Sequence, residues 1–239
     1  MSGSAAIVRV VTYNTAAGNP RVRTPQRAFL ELPFYAEALE GAPGAAILAL
    51  QEVGTEQSRA LRGHRVLQAR RPGMGNALVI PARYEVLAHR RGWYPLAQLR
   101  GSLAALRRRH ADWRQLGELR TWIEARLRDG ETGRTFTVLT THLSVEPALK
   151  VTQGRAIAAR ARAVSGPVIL AGDLNVPARE PRGLDREVAG ALGGLRDMAS
   201  TAGIDRILAA GFDSVSSRTW HEIGLSDHAP VEATMRLAG

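Results

Sequence analysis

Residues 167–177, Pro-Val-Ile-Leu-Ala-Gly-Asp-Leu-Asn-Val-Pro, constrain the fold more than any other stretch of the chain. Four apolar residues between Pro167 and Gly172 read as a short strand buried on both faces, and such a strand carries no polar side chain until it ends. Asp173 and Asn175 stand just past that end. Side-chain alternation points them the same way, and Gly172 lets the backbone come close to whatever they touch. A carboxylate and a carboxamide on a rigid strand end suit water activation or phosphate contact. The alternative is a turn in which Asp and Asn bond their own backbone.

The same arrangement recurs along the chain. Residues 7–12 are β-branched-rich and deliver Tyr13 and Asn14 to a strand end, and the apolar run 45–50 stops on Gln51 and Glu52. Segments 121–127 and 135–141 read as a hairpin whose second strand ends at His142. Further strands are expected at 66–71, 76–81, 84–89, 205–209, 214–220 and 231–237, the last preceded by Ser226-Asp227-His228. A helix is expected from Thr24-Pro25 to Leu39, kinked or split at Pro33, and a short one capped by Thr55. From 96 to 119 Leu96, Leu99, Leu103, Leu106 and Trp113 share one face, with Arg100, Arg107, Arg108 and Arg109 opposite. Residues 146–164 form an Ala-rich helix, and 182–192 a helix or loop.

No Pro/Gly/Ser-rich linker divides the 239 residues, so one domain spanning 1–239 is expected. With 45% hydrophobic residues a large core is available, and no apolar run approaches the ~18 residues of a membrane span. Residues 1–6 lack the features of a signal peptide, because 7–11 is already interrupted by Arg9; the expected location is the cytoplasm. The absence of cysteine excludes disulfides, thiolate metal sites and a Cys nucleophile.

The net charge of +10 rests on 31 arginines and one lysine, Lys150, against 22 acids. Arginine pairs with phosphate bidentately, so the balance favours an anionic partner, although near-complete replacement of Lys by Arg also fits a genome-wide compositional bias. The distribution is more informative: from Arg90 to Arg128, ten arginines face Asp112, Glu118 and Glu124. The densest part of this Arg-rich segment lies at about 90–120.

Strands that each finish on a polar residue describe one rim of a packed sheet, where Asn14, Glu52, His142, Asp173, Asn175, Asp227 and His228 can converge. The ordered pieces Thr12-Tyr13-Asn14, Leu50-Gln51-Glu52-Val53, Gly75-Asn76-Ala77, Thr141-His142-Leu143, Gly172-Asp173-Leu174-Asn175, Ile204-Asp205-Arg206-Ile207 and Ser226-Asp227-His228 resemble the endonuclease/exonuclease/phosphatase superfamily, the deoxyribonuclease-I-like hydrolases. The resemblance implies an α/β (α+β) fold, a four-layered α/β sandwich of two mostly antiparallel sheets face to face with helices outside.

It also implies roles. Glu52, with Asn14 and Asp227, would hold a divalent metal, Mg²⁺ with Mn²⁺ as the alternative. His228 would be the general base, oriented by Asp205. His142 and Asn175 would bind the scissile phosphate, and Asp173 would position the attacking water. Asn76, Arg107, Arg108 and Arg109 are candidates for substrate binding. Phosphoester hydrolysis needs an in-line water, a proton acceptor and positive charge around the phosphoryl oxygens, and a metal with imidazoles supplies all three. A Ser-His-Asp reading through Ser226 or Ser144 lacks the Gly-x-Ser-x-Gly elbow. His64, His89, His110 and His221 match no motif, although His221 could border the pocket.

Ala16 and Val53-Gly54 depart from the exonuclease-III-like branch, while Gly75-Asn76-Ala77 looks more like the branch of phosphodiesterases and phosphatases. The expected function is Mg²⁺-dependent hydrolysis of a phosphate-containing anionic substrate, with DNA or RNA favoured on charge. The competing readings are a phosphatase or phosphodiesterase of a small metabolite or lipid headgroup, and a non-catalytic phosphate-binding protein.

Overall fold

The computed structural model describes residues 6–16, 31–40, 42, 44–62, 64–70, 74–107, 119–179, 181–201, 203–223 and 225–238. In chain order the elements are β1 (Ile7–Asn14), α1 (Pro33–Glu40), β2 (Ile47–Gly54), α2 (Thr55–Ala60), β3 (Val66–Arg70), β4 (Met74–Val79), β5 (Tyr84–Trp93), α3 (Pro95–Arg107), β6 (Thr121–Asp129), β7 (Thr135–His142), α4 (Pro147–Ala163), β8 (Val168–Asp173), α5 (Leu184–Ala191), β9 (Arg196–Ser200), β10 (Asp205–Ala210), β11 (Phe212–Thr219) and β12 (Val231–Leu237). They form two six-stranded sheets, β11-β12-β1-β2-β4-β3 and β5-β6-β7-β8-β10-β9. Every neighbouring pair is antiparallel except β1/β2 in one sheet and β7/β8 in the other.

Alternation along the strands divides their side chains between layers. Val8, Val10, Ile47, Ala49 and Leu78 meet Ile123, Val138, Ile169, Ala171 and Ile207 between the sheets. On the outer face of the second sheet, Leu139, Val168, Leu170 and Leu208 pack with Ile157, Ala158 and Ala161 of α4. Val11, Tyr13, Leu48 and Leu50 lie under Phe34, Tyr35 and Ala38 of α1. This is the four-layered sandwich that the sequence implied. All six residues of β8 are buried, two on each apolar face, because α4 covers one side and the first sheet the other. Gly172 has a specific reason to be glycine: a Cβ there would lie 2.0 Å from the Thr141 carbonyl oxygen of β7.

Strand direction gathers the polar residues. The parallel pairs contribute their C-terminal ends, so Asn14 pairs with Gln51 and His142 with Asp173. Their antiparallel neighbours contribute N-terminal starts. Asp205 of β10 pairs with Asp173, and Trp122 pairs with Thr141, which sets Arg120 and Thr121 beside His142. Gly75 pairs with Val53, bringing Asn76 to the same end, and β12 starts opposite Thr12 so that 226–228 lie beside Asn14.

Several local expectations change. Pro33 opens α1 rather than kinking a longer helix, and the proposed start at Thr24-Pro25 lies outside the described residues. Gly54, not Thr55, is the N-cap of α2. Strand β9 went unread, because Arg196-Asp197-Met198-Ala199-Ser200 has little β-branched character. In α3 the leucine face is not the buried one: Leu99, Leu103 and Leu106 are exposed, while Ala97 and Ala105 are buried. Gly101 lies on the packed side too, where a Cβ would come within 2.8 Å of Leu149 Cα on α4, so small residues let the two helices approach closely. Trp113 lies outside the described residues.

Away from the rim, Arg83 donates Nε to Asp129 Oδ1 at 2.9 Å and NH2 to Oδ2 at 2.7 Å, and the Glu131 N–H also bonds Oδ1. Asp129 is fully buried. Burial alone would raise its pKa, but the Arg83 pair and the backbone bond hold it below the usual carboxylate range. A lowered native pKa is stability present above the unfolded pKa and lost as pH falls through the native one. Arg83→Ala strands the carboxylate and is expected to cost about 3–5 kcal/mol at pH 7, with the gap to wild type closing in acid as Asp129 takes up its proton. Urea denaturation of both proteins across pH measures this; a gap that is absent at pH 7, or constant with pH, would contradict it.

Candidate active site

Asp173, 1% exposed, sits where the two sheets meet. Its Oδ1 accepts the Asn175 N–H at 3.0 Å, so the turn alternative is realised. The other oxygen serves the rim: Oδ2 accepts Asn14 Nδ2 at 3.0 Å and faces His142 Nε2 at 3.3 Å and His228 Nε2 at 3.9 Å. Strand alternation does not extend to Asn175, whose φ of 50° turns the chain. Its Nδ2 donates to the Leu143 carbonyl at 2.8 Å. Burial, and then the charge of Asp205, push the Asp173 carboxyl up to about 6.

His228 Nδ1 lies 2.6 Å from Asp205 Oδ2. A carboxylate accepts only, so Nδ1 carries the proton and Nε2 is turned toward Asp173. Burial favours neutral imidazole, but the hydrogen bond and charge of Asp205, with Asp173 and Asp227, outweigh it and raise the pKa to about 9. Ser226 acts as a brace: its Oγ donates to the Asn14 carbonyl at 2.8 Å and accepts the His228 N–H at 3.2 Å. It also lies 3.3 Å from Asp227 Oδ1, which ties Asp227 to Asn14. Ser144 is fully buried and its Oγ accepts the Glu146 N–H. Neither serine is placed as a nucleophile toward His228.

Gln51 and Glu52, adjacent in sequence, part company. Gln51 is fully buried between the sheets, accepting Thr12 Oγ1 at 3.3 Å and donating to Ala49 O at 2.9 Å and Thr140 Oγ1 at 3.2 Å. The β2–β4 register shifts between Leu50 and Val53, and Glu52 takes a φ of 52°. This bulge turns Glu52 to the rim, with Oε1 3.7 Å from His142 Nδ1. Three described non-glycine residues have positive φ, and they are Ala16, Glu52 and Asn175. Such conformations cost of order 1–3 kcal/mol each and cluster at functional sites.

Two contributors were not singled out from sequence. Arg120, 5% exposed, stands 2.7 Å from His142 Nδ1 through NH1. Guanidinium can only donate, so His142 Nδ1 accepts and Nε2–H points at Asp173. Lys150 donates Nζ to the Asn175 carbonyl at 2.7 Å and pairs with Asp185 at 2.6 Å, bracing the Asn175 turn from α4 and α5. The signal for Arg120 was its place just before β6, hidden among many arginines; that for Lys150 was its being the only lysine.

Of the candidates read from sequence, Asn14, Glu52, His142, Asp173, Asn175, Asp205 and His228 are joined by direct contacts, and Asp227 through Ser226. Asn76 lines a small cavity with Glu52, Arg120 and His142, and its Nδ2 donates to the Thr121 carbonyl at 2.7 Å. Arg108, Arg109 and the side chain of Arg107 lie outside the described residues, as does His110. His221 is exposed, while its neighbour Trp220 donates Nε1 to Glu232 and packs at a tilt against Phe34.

Among the described residues, one group of acidic and histidine side chains lies close enough together to hold a cation, and it is not the Glu52, Asn14 and Asp227 set expected from the sequence. Asp173, Asp205 and His228 offer ligand atoms within 4.8 Å of one another, and Asp205 Oδ1 is buried without a hydrogen-bond partner among the described residues. His228 Nδ1 and Asp205 Oδ2 are taken up by their 2.6 Å bond, which leaves Asp205 Oδ1 and His228 Nε2 as their ligand atoms there. Glu52, Asn14 and Asp227 offer oxygen alone, the chemistry that suits a hard divalent ion, and the partly exposed Glu52 carboxylate is turned out by its bulge.

A carboxylate-oriented imidazole and a buried carboxylate on one rim of a four-layered sandwich fit a phosphoester hydrolase. The chain belongs to the Endonuclease/Exonuclease/phosphatase family, whose model matches residues 11–228 and whose members are hydrolytic phosphoesterases such as nucleases and phosphatases, generally dependent on a divalent metal. Its fold is shared with an endonuclease/exonuclease/phosphatase from Bacteroides vulgatus (18% identity, TM-score 0.70, 97% of this chain and 99% of that one). It is shared too with D. rerio TDP2 complexed with single strand DNA product (14%, 0.70, 96% and 99%). A Bacteroides thetaiotaomicron mannosyl-6-phosphatase is a further neighbour (15%, 0.63, 95% and 99%). No curated protein matches the chain in sequence.

The Arg120–His142 contact generates a test. Arg120→Met should leave the far-ultraviolet circular dichroism intact and lower kcat/KM on an aryl phosphodiester by about 10²–10³-fold, the loss typical of one charge-stabilising donor. Unchanged steady-state kinetics would remove Arg120 from the site.

Proposed function

We propose that this chain is a divalent-metal-dependent phosphodiester hydrolase, with Mg²⁺ as the cation, Mn²⁺ as its substitute, and nucleic acid as the substrate. The observation that carries this reading is the 2.6 Å His228–Asp205 bond, which directs Nε2 at the carboxylate shared with His142 and Asn14. His228 Nε2 would take the proton of the attacking water while Nδ1–H stays on Asp205, an arrangement worth about 10²–10⁴-fold. Asp173 would position that water. Asn175 and Arg120 would hold the phosphoryl oxygens and stabilise the charge that builds on them, while His142, whose Nδ1 accepts from Arg120 and whose Nε2–H faces Asp173, would orient Arg120 rather than bind the phosphate itself.

Glu52, Asn14 and Asp227 would hold the cation, which when bound supplies Lewis-acid polarisation of a phosphoryl oxygen. Base action requires a proton-free Nε2, whereas the surrounding carboxylates favour imidazolium.

Charge favours a polyanion: Arg120 lies on the rim and Arg70 and Arg91 line the adjoining cleft. The similarity to a mannosyl-6-phosphatase keeps a small phosphomonoester as the second reading.

Chelation should abolish turnover and Mg²⁺ restore it, and Glu52→Gln should weaken the Mg²⁺ binding seen by calorimetry. His228→Ala should reduce kcat by about 10²–10⁴-fold. Asp205→Asn should reduce it less, since the ring persists but loses its charged anchor. Assays on oligonucleotides, aryl phosphodiesters and sugar phosphates read these outcomes; full turnover in chelator would sink the metal mechanism, and hydrolysis of sugar phosphates alone would move the assignment to the phosphatase.

A further inference from the structure

Beside the rim, a cleft of about 550 Å³ opens where the edge strand β3 of one sheet faces the edge strand β5 of the other. Gln68, Arg70, Arg91, Trp93 and Thr121 line it. Thr121 also lines the small cavity that holds Glu52, Asn76, Arg120 and His142, so the cleft and the candidate site share a wall. Trp93 pairs with Thr121 across β5 and β6, and β6 neighbours the strand of His142. The Trp93 backbone therefore stands two strand spacings from that of His142, about 10 Å.

The cleft is built rather than incidental. Trp93 is 55% exposed, an unusual place for a large aromatic, yet its backbone is fixed. Its carbonyl accepts Trp122 Nε1 at 3.1 Å, and Gly92 lies so close to the Trp122 ring that a Cβ would meet it at 2.9 Å. Arg91 NH1 donates to the Gln68 carbonyl at 2.7 Å, and Thr121 Oγ1 to the Ala69 carbonyl at 3.2 Å; both bonds hold the two sheet edges together. Arg70 and Arg91 are exposed, and no acidic side chain lines the cleft among the described residues. The surface thus offers a flat aromatic flanked by cations.

We propose that this cleft takes an unpaired nucleobase stacked on Trp93, with the adjacent backbone phosphate on Arg70 and Arg91, so that the substrate is a single strand of nucleic acid running from the rim across β6 to β5. The inference rests on the phosphodiesterase reading above and names its substrate class. Aromatic stacking requires a base whose face is open, which a single strand offers and an intact duplex does not. A compact phosphate ester bound at the rim would not reach Trp93.

Binding can be read without turnover, by anisotropy of labelled oligothymidylate in chelator. Trp93→Ala should weaken it about 5- to 150-fold, the range for losing one base stack, and Trp93→Phe should recover most of the loss. Arg70→Ala and Arg91→Ala should each lower the log–log salt slope by about 0.7 per lost phosphate contact. Arg155→Ala, which removes an exposed arginine paired with Glu187 on the helical face, is the charge-matched control and should leave the slope near wild type. Duplex of the same length should bind more weakly than single strand and respond less to Trp93→Ala. Undetectable oligonucleotide binding, equal losses for single strand and duplex, or indifference to Trp93→Ala overturns the proposal. Metal-dependent turnover of an aryl phosphodiester is measured in parallel: if it persists while the cleft fails, only the substrate assignment falls, and if it is absent the phosphodiesterase reading falls as well.

Discussion

One oxygen atom, Oδ2 of Asp173, holds the site together. It accepts from Asn14 of the first sheet and faces His142 of the second, with His228 arriving from the loop before β12. A buried carboxylate is costly unless its acceptor sites are filled, and here Asn14 Nδ2 and the Asn175 N–H fill them, with His142 Nε2 3.3 Å away. The site can therefore form only when both sheets are packed in register. Gly172 makes this close fit sterically feasible, since its bare backbone lies against Thr141 just before the carboxylate. Asp205 adds the second carboxylate, which raises the protonation tendency of both Asp173 and His228 and couples them.

Strain and order are distributed accordingly. Buried polar residues such as Gln51 are fully bonded and lock the sheets together, whereas the neighbouring Glu52 departs from strand geometry at a bulge. With Ala16 and Asn175, the left-handed residues lie next to or within the candidate set, where stability is given up for a particular presentation of side chains. Lys150 and Ser226 do not point chemistry at the rim but hold the turns that do.

Much of this was legible because a strand buried on both faces leaves only its ends for polar groups. That rule located Asn14, His142 and Asp173, each the last residue of its strand, whereas Glu52 lies inside β2 and reaches the rim only through a bulge; motif order supplied Asp205 and His228. Where the rule failed, the reason is physical. Periodicity showed that α3 has a leucine face, but it could not say that Ala97, Gly101 and Ala105 would be buried instead. The Arg-rich run looked like one feature and divides into several: Arg120 reaches the rim, Arg91 the cleft, and Arg128 pairs with Glu85. Arg160 stacks on Trp122 and bonds Glu124, showing that some of the excess charge is packing. A single strand end announces a polar residue; which cation meets it depends on contacts far apart in sequence.

In the proposed function Asp173, Asp205 and His228 would handle the proton, and Glu52, Asn14 and Asp227 would hold the cation. Anomalous diffraction from crystals of the protein soaked in Mn²⁺ tests that division most directly. The account predicts a peak bonded to the Glu52 carboxylate, with the His228 Nδ1 hydrogen bond to Asp205 intact. A peak ligated by Asp173, Asp205 and His228 would contradict it.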